Sequence, residues 1–304
     1  MNKGVVYGIA AYGIWGLLPI YWRLLQHVPA AEILAHRMVW SLLFIAALLA
    51  YKRHWRWVWP ALHQPRTVVT FVGTGLILAI NWFTYIWAVN SGFIVETSLG
   101  YFINPLVNVL LGMVFLGERL RWSQGVAVAL AVAGVAYLTV SYGAFPWIAL
   151  TLAFSFAFYG LLRKTASLEA SEGLALETAV LFLPALGYLV LLEANNTAAF
   201  ANVNVSTTLL LIGAGIATGL PLLLFSAAAR RVTLTNLGLL QYIAPTLQFL
   251  LGVFVYGEVF SRNRLVGFGL IWVALAVYSA EGIVRSRQGR RARRLQEVQN
   301  SSGA

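Results

Sequence analysis

Cysteine is absent from the 304 residues, and so is aspartate: all ten acidic side chains are glutamate. Without cysteine there is no disulfide framework, no thiolate nucleophile and no thiolate metal site. Charge is scarce as well. Charged residues make up 10% of the chain and hydrophobic residues 60%, whereas a soluble domain carries roughly a quarter charged residues. That shortage excludes a soluble globular protein and points to an all-α integral membrane protein. The net charge of +11 is therefore no argument for nucleic-acid binding, because basic residues in a membrane chain collect in cytoplasmic loops and tails.

What is abundant is apolar sequence in long runs. Spans are expected near 4–22, 33–51, 70–89, 98–116, 123–140, 146–162, 175–192, 208–228, 238–256 and 265–283, each close to the ~20 residues a helix needs to cross ~30 Å of hydrocarbon. A β-barrel would need alternating segments of ~10 residues, and these runs are continuous. The first run is longer than the ~7–15-residue core of a signal peptide, carries bulky aromatics and leads into another span. With the N-terminus in the cytoplasm, seventeen Lys and Arg fall on cytoplasmic segments and four (Arg23, Arg37, Arg262, Arg264) on the other side. This asymmetry predicts both termini inside. Trp55, Trp57 and Trp59 read as an interfacial aromatic belt.

The chain is similar to itself at one ungapped offset of 140 residues. Arg23 falls on Arg163, Glu32 on Glu172, Gly73 on Gly213, Gly75 on Gly215, Pro105 on Pro245 and Gly117-Glu118 on Gly257-Glu258. Apolar coincidences are cheap in this composition, but charged, Pro and Gly matches at one offset are not. The reading is a duplication, with units at 1–142 and 143–284 and a basic tail at 285–304. Five spans per unit is an odd number, so equivalent helices enter the membrane from opposite sides. Inverted repeats of this kind recur in secondary transporters, with the substrate site near the midplane between the halves.

Particular motifs carry a family resemblance. Tyr12-Gly13-Ile14-Trp15-Gly16 with Pro19, then Glu32-Ile33-Leu34-Ala35-His36-Arg37, resemble the opening of RarD-type permeases. Asn81-Trp82, Ile86-Trp87-Ala88-Val89-Asn90, Ser98-Leu99-Gly100-Tyr101-Phe102-Ile103-Asn104-Pro105, Ser155-Phe156-Ala157-Phe158-Tyr159-Gly160 with Arg163-Lys164, and Gln241-Tyr242-Ile243 with Pro245-Thr246 extend the match. These permeases form a branch of the EamA family in the drug/metabolite transporter superfamily. The resemblance spans roughly residues 4–284 and implies ten transmembrane helices in two inverted five-helix repeats in the bacterial inner membrane. Members often carry a chloramphenicol-resistance or chloramphenicol-sensitive label, which says little about a natural substrate.

Polar residues inside spans are costly unless they face a cavity or a neighbouring helix. Tyr101, Asn104 and Asn108 share one face of span four, and their counterparts at the offset are Gln241, Ala244 and Gln248. Asn81 and Tyr85 share a face of span three, beside Trp82. Amides and aromatics together suit an amphipathic organic molecule, so Tyr101, Asn104, Gln241, Asn81 and Tyr85 are candidate substrate contacts. Trp15 and Tyr159 join them from the first helix of each half. Helix–helix hydrogen bonding and plain packing compete with that reading at every position. His36 and Arg37 lie about a turn inside span two, with Glu177 at the offset position of Arg37. Either these are structural pairs or snorkelling head groups, or Arg37 attracts an anionic group and His36 or Glu177 takes part in proton coupling. Pro105 and Pro245 lie mid-span and are candidate hinges. Glu118 and Glu258 are expected to anchor helix ends.

No HExxH, Walker loop or G-x-S-x-G elbow occurs, so no enzyme and no cofactor is expected. The expected function is a secondary transporter of small organic solutes, drugs or metabolites, exporting by alternating access. A non-transporting receptor or accessory protein is the competing class. The expected partners are a small-molecule substrate and membrane lipid, the latter also docking the Arg-rich tail. A homodimer is compatible with the sequence.

Overall fold

The structure, a computed structural model, describes residues 3–91 and 93–255 and, in a last helical stretch, 265–267, 269–274, 276–277 and 280. Among the described residues every regular element is helical. The order is α1 (Lys3–Leu24), α2 (Ala30–Tyr51), α3 (Val58–Leu62), α4 (Pro65–Asn90), α5 (Ile94–Leu116), α6 (Trp122–Tyr142), α7 (Trp147–Thr165), α8 (Ala170–Ala194), α9 (Val205–Ala229), α10 (Leu234–Gln241) and α11 (Ile243–Leu250), which runs into a π-helical turn at Leu251–Val255. Seven of these helices are long and apolar enough to cross a membrane. The Arg-rich tail, Gly257-Glu258 and Arg262 and Arg264 lie outside the described residues.

Local chemistry sets the helix ends. Asn204 accepts from the Thr207 amide (2.7 Å) to cap α9, and Thr233 from the Asn236 amide (3.1 Å) to cap α10. Such caps satisfy donors that the first turn leaves orphaned. In α8 the Glu172 carboxylate returns to the Glu169 amide at 2.8 Å, the reciprocal arrangement of a capping box. The carboxylates that match at the offset also bind connections. Glu32 accepts from the Ala199 and Phe200 amides (2.7 and 3.2 Å) in the α8–α9 connection, and Glu172 lies 2.8 Å from His54 Nε2 in the α2–α3 connection. Glu118 anchors a helix end as expected: it accepts from the amides of Leu234 (2.7 Å) and Thr235 (3.0 Å) and from the Thr235 hydroxyl (2.9 Å), tying the end of α5 to the start of α10.

The ninth apolar run departs from the single helix read at 238–256. It begins at Leu234 and is interrupted at Tyr242. Pro245 has no N–H to return to the carbonyl of Gln241, four residues back, so the ladder opens there. Pro105 sits inside α5 without such an interruption. The Tyr242 hydroxyl donates to the carbonyl of Phe102 at 3.1 Å, and Gly238 lies so close to the Pro105 carbonyl that an added Cβ would sit 2.6 Å from its oxygen.

Packing joins the two halves of the sequence. Helix α1 packs on α9, α10 and α11, and α7 packs on α4 and α5; α2 meets α8 and α9, and α8 meets α2 and α4. The α3 turn carries Trp59, 73% exposed, and Trp55 precedes it, also exposed, in keeping with an aromatic belt.

Candidate functional site

A cavity of ≈ 320 Å³ lies where the two halves meet, within the size range of small-molecule pockets. Its walls come from the second half of α1 (Trp15, Pro19, Trp22), the first half of α2 (Ile33, Arg37), the second half of α4 (Asn81, Trp82, Tyr85) and the first half of α5 (Tyr101, Asn104). Helices α7, α9, α10 and α11 close it with Phe156, Thr218, Leu222, Gln241 and Gln248. Seven of the expected contacts, Trp15, Arg37, Asn81, Tyr85, Tyr101, Asn104 and Gln241, line this one space, as does Pro245.

Arg37 is the one charged side chain among the lining residues. Its Nε donates to the Thr218 hydroxyl at 2.8 Å. The guanidinium carbon lies 4.9 Å from the ring centre of Trp22 and 5.0 Å from that of Trp82, so two indole faces hold the cation, each contact worth ~0.5–2 kcal/mol. Tyr85 and Tyr101 meet edge to face beside it, with centroids 6.0 Å apart.

The amides form a chain that ties helices together. Asn81 donates to the Leu152 carbonyl (3.0 Å) and the Ser155 hydroxyl (2.8 Å), fixing α4 to α7. Asn104 donates to the Ala153 carbonyl at 2.6 Å. Asn108, fully buried behind the cavity wall, donates to both Asn104 Oδ1 (3.0 Å) and Gln241 Oε1 (3.1 Å). Asn108 therefore holds the two cavity amides of α5 and α10 in register, a central role that its place one turn further along α5 does not suggest.

Beneath the cavity is an aromatic floor. Trp15 and Phe156 meet at 5.7 Å, both contact Phe225 (5.7 and 5.1 Å), and Phe225 stacks on Tyr159 at 5.8 Å. Below the floor lies a closed polar cluster. Arg163 is 0% exposed. Its Nη1 is 3.7 Å from Glu177 Oε1, its Nε donates to the Ser226 hydroxyl (3.0 Å), its Nη2 donates to the Ala170 carbonyl (3.0 Å), and its guanidinium lies over Phe71. The Tyr159 hydroxyl donates to Glu177 Oε2 at 3.1 Å. The backbone of α8 leaves room for this arginine only because residue 173 is glycine: an added Cβ would be 1.8 Å from Arg163 Nη1.

Tyr159 and Glu177, both expected at the cavity, thus lie elsewhere, spent on Arg163 behind the aromatic floor. His36 also lies off the cavity. It stacks on Phe200 (4.8 Å), Trp40 donates to its Nδ1 (3.2 Å), and its Nε2 is 3.9 Å from Glu32 Oε1. The physical reason is helical phase: adjacent residues point about 100° apart, so with Arg37 facing the cavity His36 faces the α8–α9 connection. Residues missed from sequence include Trp22, Thr218 and Phe156. Trp22 was legible, since Trp15 and Trp22 are seven apart and share a face. Thr218 carried no signal, being one of five hydroxyl side chains in an otherwise apolar helix. Among the described residues no group of three His or Glu side chains could hold a metal ion.

Comparison with known proteins fits this architecture. The profile of the EamA-like transporter family matches residues 2–140. "Protein RarD" of Streptomyces exfoliatus is 48% identical over 289 residues, covering 95% of this chain and 92% of its own. An "Uncharacterized transporter" of Vibrio cholerae is 46% identical over 292 residues, covering 96% and 97%. One solved crystal structure, 22% identical, superposes with a TM-score of 0.69 over 91% of this chain and 98% of the other, a likeness of fold.

Proposed function

Because the chain belongs to the EamA-like transporter family, in its RarD branch, we propose that it carries small organic solutes across the bacterial inner membrane by alternating access, with export as its direction. The observation that carries this reading is the cavity between the halves, polar and aromatic at mid-depth and sealed below by the aromatic floor and the Arg163–Glu177 cluster. Its walls on α1, α2, α4 and α5 alternate between second halves and first halves, which is what a cavity open at one membrane face requires if those helices alternate in direction, and α9 reaches it from nearer its middle with Thr218 and Leu222. With the N-terminus cytoplasmic, that face is the outer one, and the Arg163 cluster is the closed inner gate.

The finer architecture belongs to the same proposal: ten spans, units at 1–142 and 143–284 related as inverted repeats, and a tail at 285–304 on anionic lipid. Several observations support it. Exchanging each helix for its counterpart 140 residues away turns the α1–α9 contact into α7–α4, α1–α10/α11 into α7–α5, and α2–α9 into α8–α4, all of which occur. Tyr242 and Phe102, which bond to each other, are themselves counterparts, as residues beside a twofold axis would be. Glu32 and Glu172 bind equivalent connections. Two similar halves that pack in either of two related ways supply the near-equal energies alternating access needs.

In this scheme Trp15, Arg37, Asn81, Tyr85, Tyr101, Asn104 and Gln241 contact substrate, while His36, Tyr159 and Glu177 hold the frame. Pro105 and Pro245 let α5 and the α10–α11 pair bend at the floor. The test is reconstitution of the purified chain in vesicles, with solutes chosen by metabolite profiling of cells with and without it. Saturable flux is expected. Binding of those solutes with no flux in either direction would favour a receptor instead.

A further inference from the structure

Resting on the transporter reading, we propose that the cavity takes a small organic anion, its carboxylate-type group held by the open side of the Arg37 guanidinium and its flat apolar body lying among the cavity aromatics.

The argument starts from where the head group points. Arg37 is the eighth residue of α2, so its Cα lies roughly 10 Å along the helix from its first residue. A long basic side chain that near a helix end ordinarily snorkels toward water. This one turns inward and bonds Thr218, the fourteenth residue of the 25-residue α9, roughly 20 Å from that helix's start. The cation is thus held near mid-depth, where an uncompensated charge is expensive.

Its compensation is incomplete. Two indole faces and one hydroxyl cover it. Neither terminal nitrogen has a hydrogen-bond partner among the described residues, and neither is a buried atom sealed from the cavity. No carboxylate lines the space. Arg163 in the other half shows what a buried arginine here otherwise has: Glu177, a hydroxyl and two backbone carbonyls. At the position equivalent to Glu177 stands Arg37 itself, so among the described residues nothing supplies this cation with the negative charge that Glu177 gives Arg163.

The free edge of a guanidinium presents parallel N–H groups that match a carboxylate bidentately, as a lysine would not. Trp22 and Trp82 hold the plane of that fork fixed, which limits the ordering that binding requires. Trp15, Tyr85, Tyr101 and Phe156 supply aromatic surface for an apolar body, and Asn104 and Gln241 line the same space for a second polar group. The arrangement disfavours organic cations, which would meet Arg37 with no carboxylate to offset it.

The test uses the purified full chain in phosphatidylcholine nanodiscs and three probes with the same ring system: 2-naphthoate, 2-naphthamide and 2-naphthylmethylammonium. Equilibrium binding is measured by calorimetry. Naphthoate is expected to bind about tenfold or more tighter than the amide, the factor one or two charge-assisted hydrogen bonds supply, and the ammonium weakest. Arg37→Gln should remove most of the difference between naphthoate and the amide, and Arg37→Lys should restore part of it. Equal affinity for naphthoate and the amide, retention of naphthoate affinity by Arg37→Gln, or no binding by any probe at millimolar concentration would each overturn the proposal. If Arg37→Gln does not fold, the charge series on the wild-type chain decides alone. Loss of naphthoate binding in nanodiscs containing phosphatidylglycerol would assign the fork to a lipid phosphate and overturn the soluble anion. Flux in vesicles, run in parallel, separates the two readings. Arg37-dependent binding without flux defeats the transporter and leaves the anion site, whereas flux indifferent to charge leaves the transporter and defeats the anion site.

Discussion

Arg37 and Glu177 stand 140 residues apart, on two helices, α2 and α8, that pack on each other, and their surroundings could hardly differ more. Around Glu177 everything is closed: Arg163 at 3.7 Å, the Tyr159 hydroxyl at 3.1 Å, Gly173 leaving room for the guanidinium, and an aromatic floor above. Around Arg37 everything is open: two indole faces, one threonine and a cavity. In the second half of the sequence the charge pair is completed inside the protein, and in the first half a charge faces a cavity. The lesson is that two positions aligned by one sequence offset can sit in opposite surroundings, one in a closed charge pair and the other at a cavity wall, because the neighbouring side chains differ.

The sharpest way to break that contrast is at the closed end. Glu177→Leu leaves Arg163 buried without its carboxylate, and removing one partner of a buried pair costs about 3–5 kcal/mol. Unfolding of the purified chain should register that loss, and pairing the change with Arg163→Met should recover most of it. A single variant as stable as wild type would mean that the pair contributes little to the fold. At the open end the same measurement should respond weakly. Arg37→Gln loses one hydrogen bond and two indole contacts but also relieves a cation that has no carboxylate, and because these terms oppose each other stability should shift by no more than about 1 kcal/mol in either direction. A large destabilisation at both positions would erase the distinction between the two ends.

Gly173→Ala tests closure through shape alone. Its Cβ would be 1.8 Å from Arg163 Nη1 and 2.3 Å from Phe71, and such overpacking costs about 1–3 kcal/mol. Restoration of stability by Phe71→Leu, which makes room beside the arginine, is expected. Between the two ends, Asn108→Leu removes the donor shared by Asn104 and Gln241, orphaning two acceptors at about 1–3 kcal/mol in all. It should weaken solute affinity at least as much as Asn104→Leu, although Asn108 touches no solute. Affinity equal to wild type would show that the cavity amides hold their places without it. The smallest effect is expected from proline. Pro245→Ala, which lets the ladder close across Tyr242, should slow flux a few-fold with affinity unchanged, and Pro105→Ala less, because α5 is already continuous.

The sequence by itself determined a good deal. A chain with 10% charged residues, no aspartate and long apolar runs had to be a helical membrane protein, because water offers it no stable surface and lipid tolerates no unpaired backbone. Spacing of three and four placed Asn81 with Tyr85, and Tyr101 with Asn104, on shared helix faces, and all four reach the cavity. Arg37 and Glu177 were legible as exceptional, yet each had two readings. Only the tertiary structure decided between them, because what a charge does depends on which helix packs against it. Tyr159, from α7, met Glu177 and left the cavity; His36, one residue from Arg37, turned onto Phe200. Thr218 became a partner of Arg37 across 181 positions of sequence, a contact that no local pattern encodes, since helical period reports which face a residue lies on and is silent about which neighbour that face will meet.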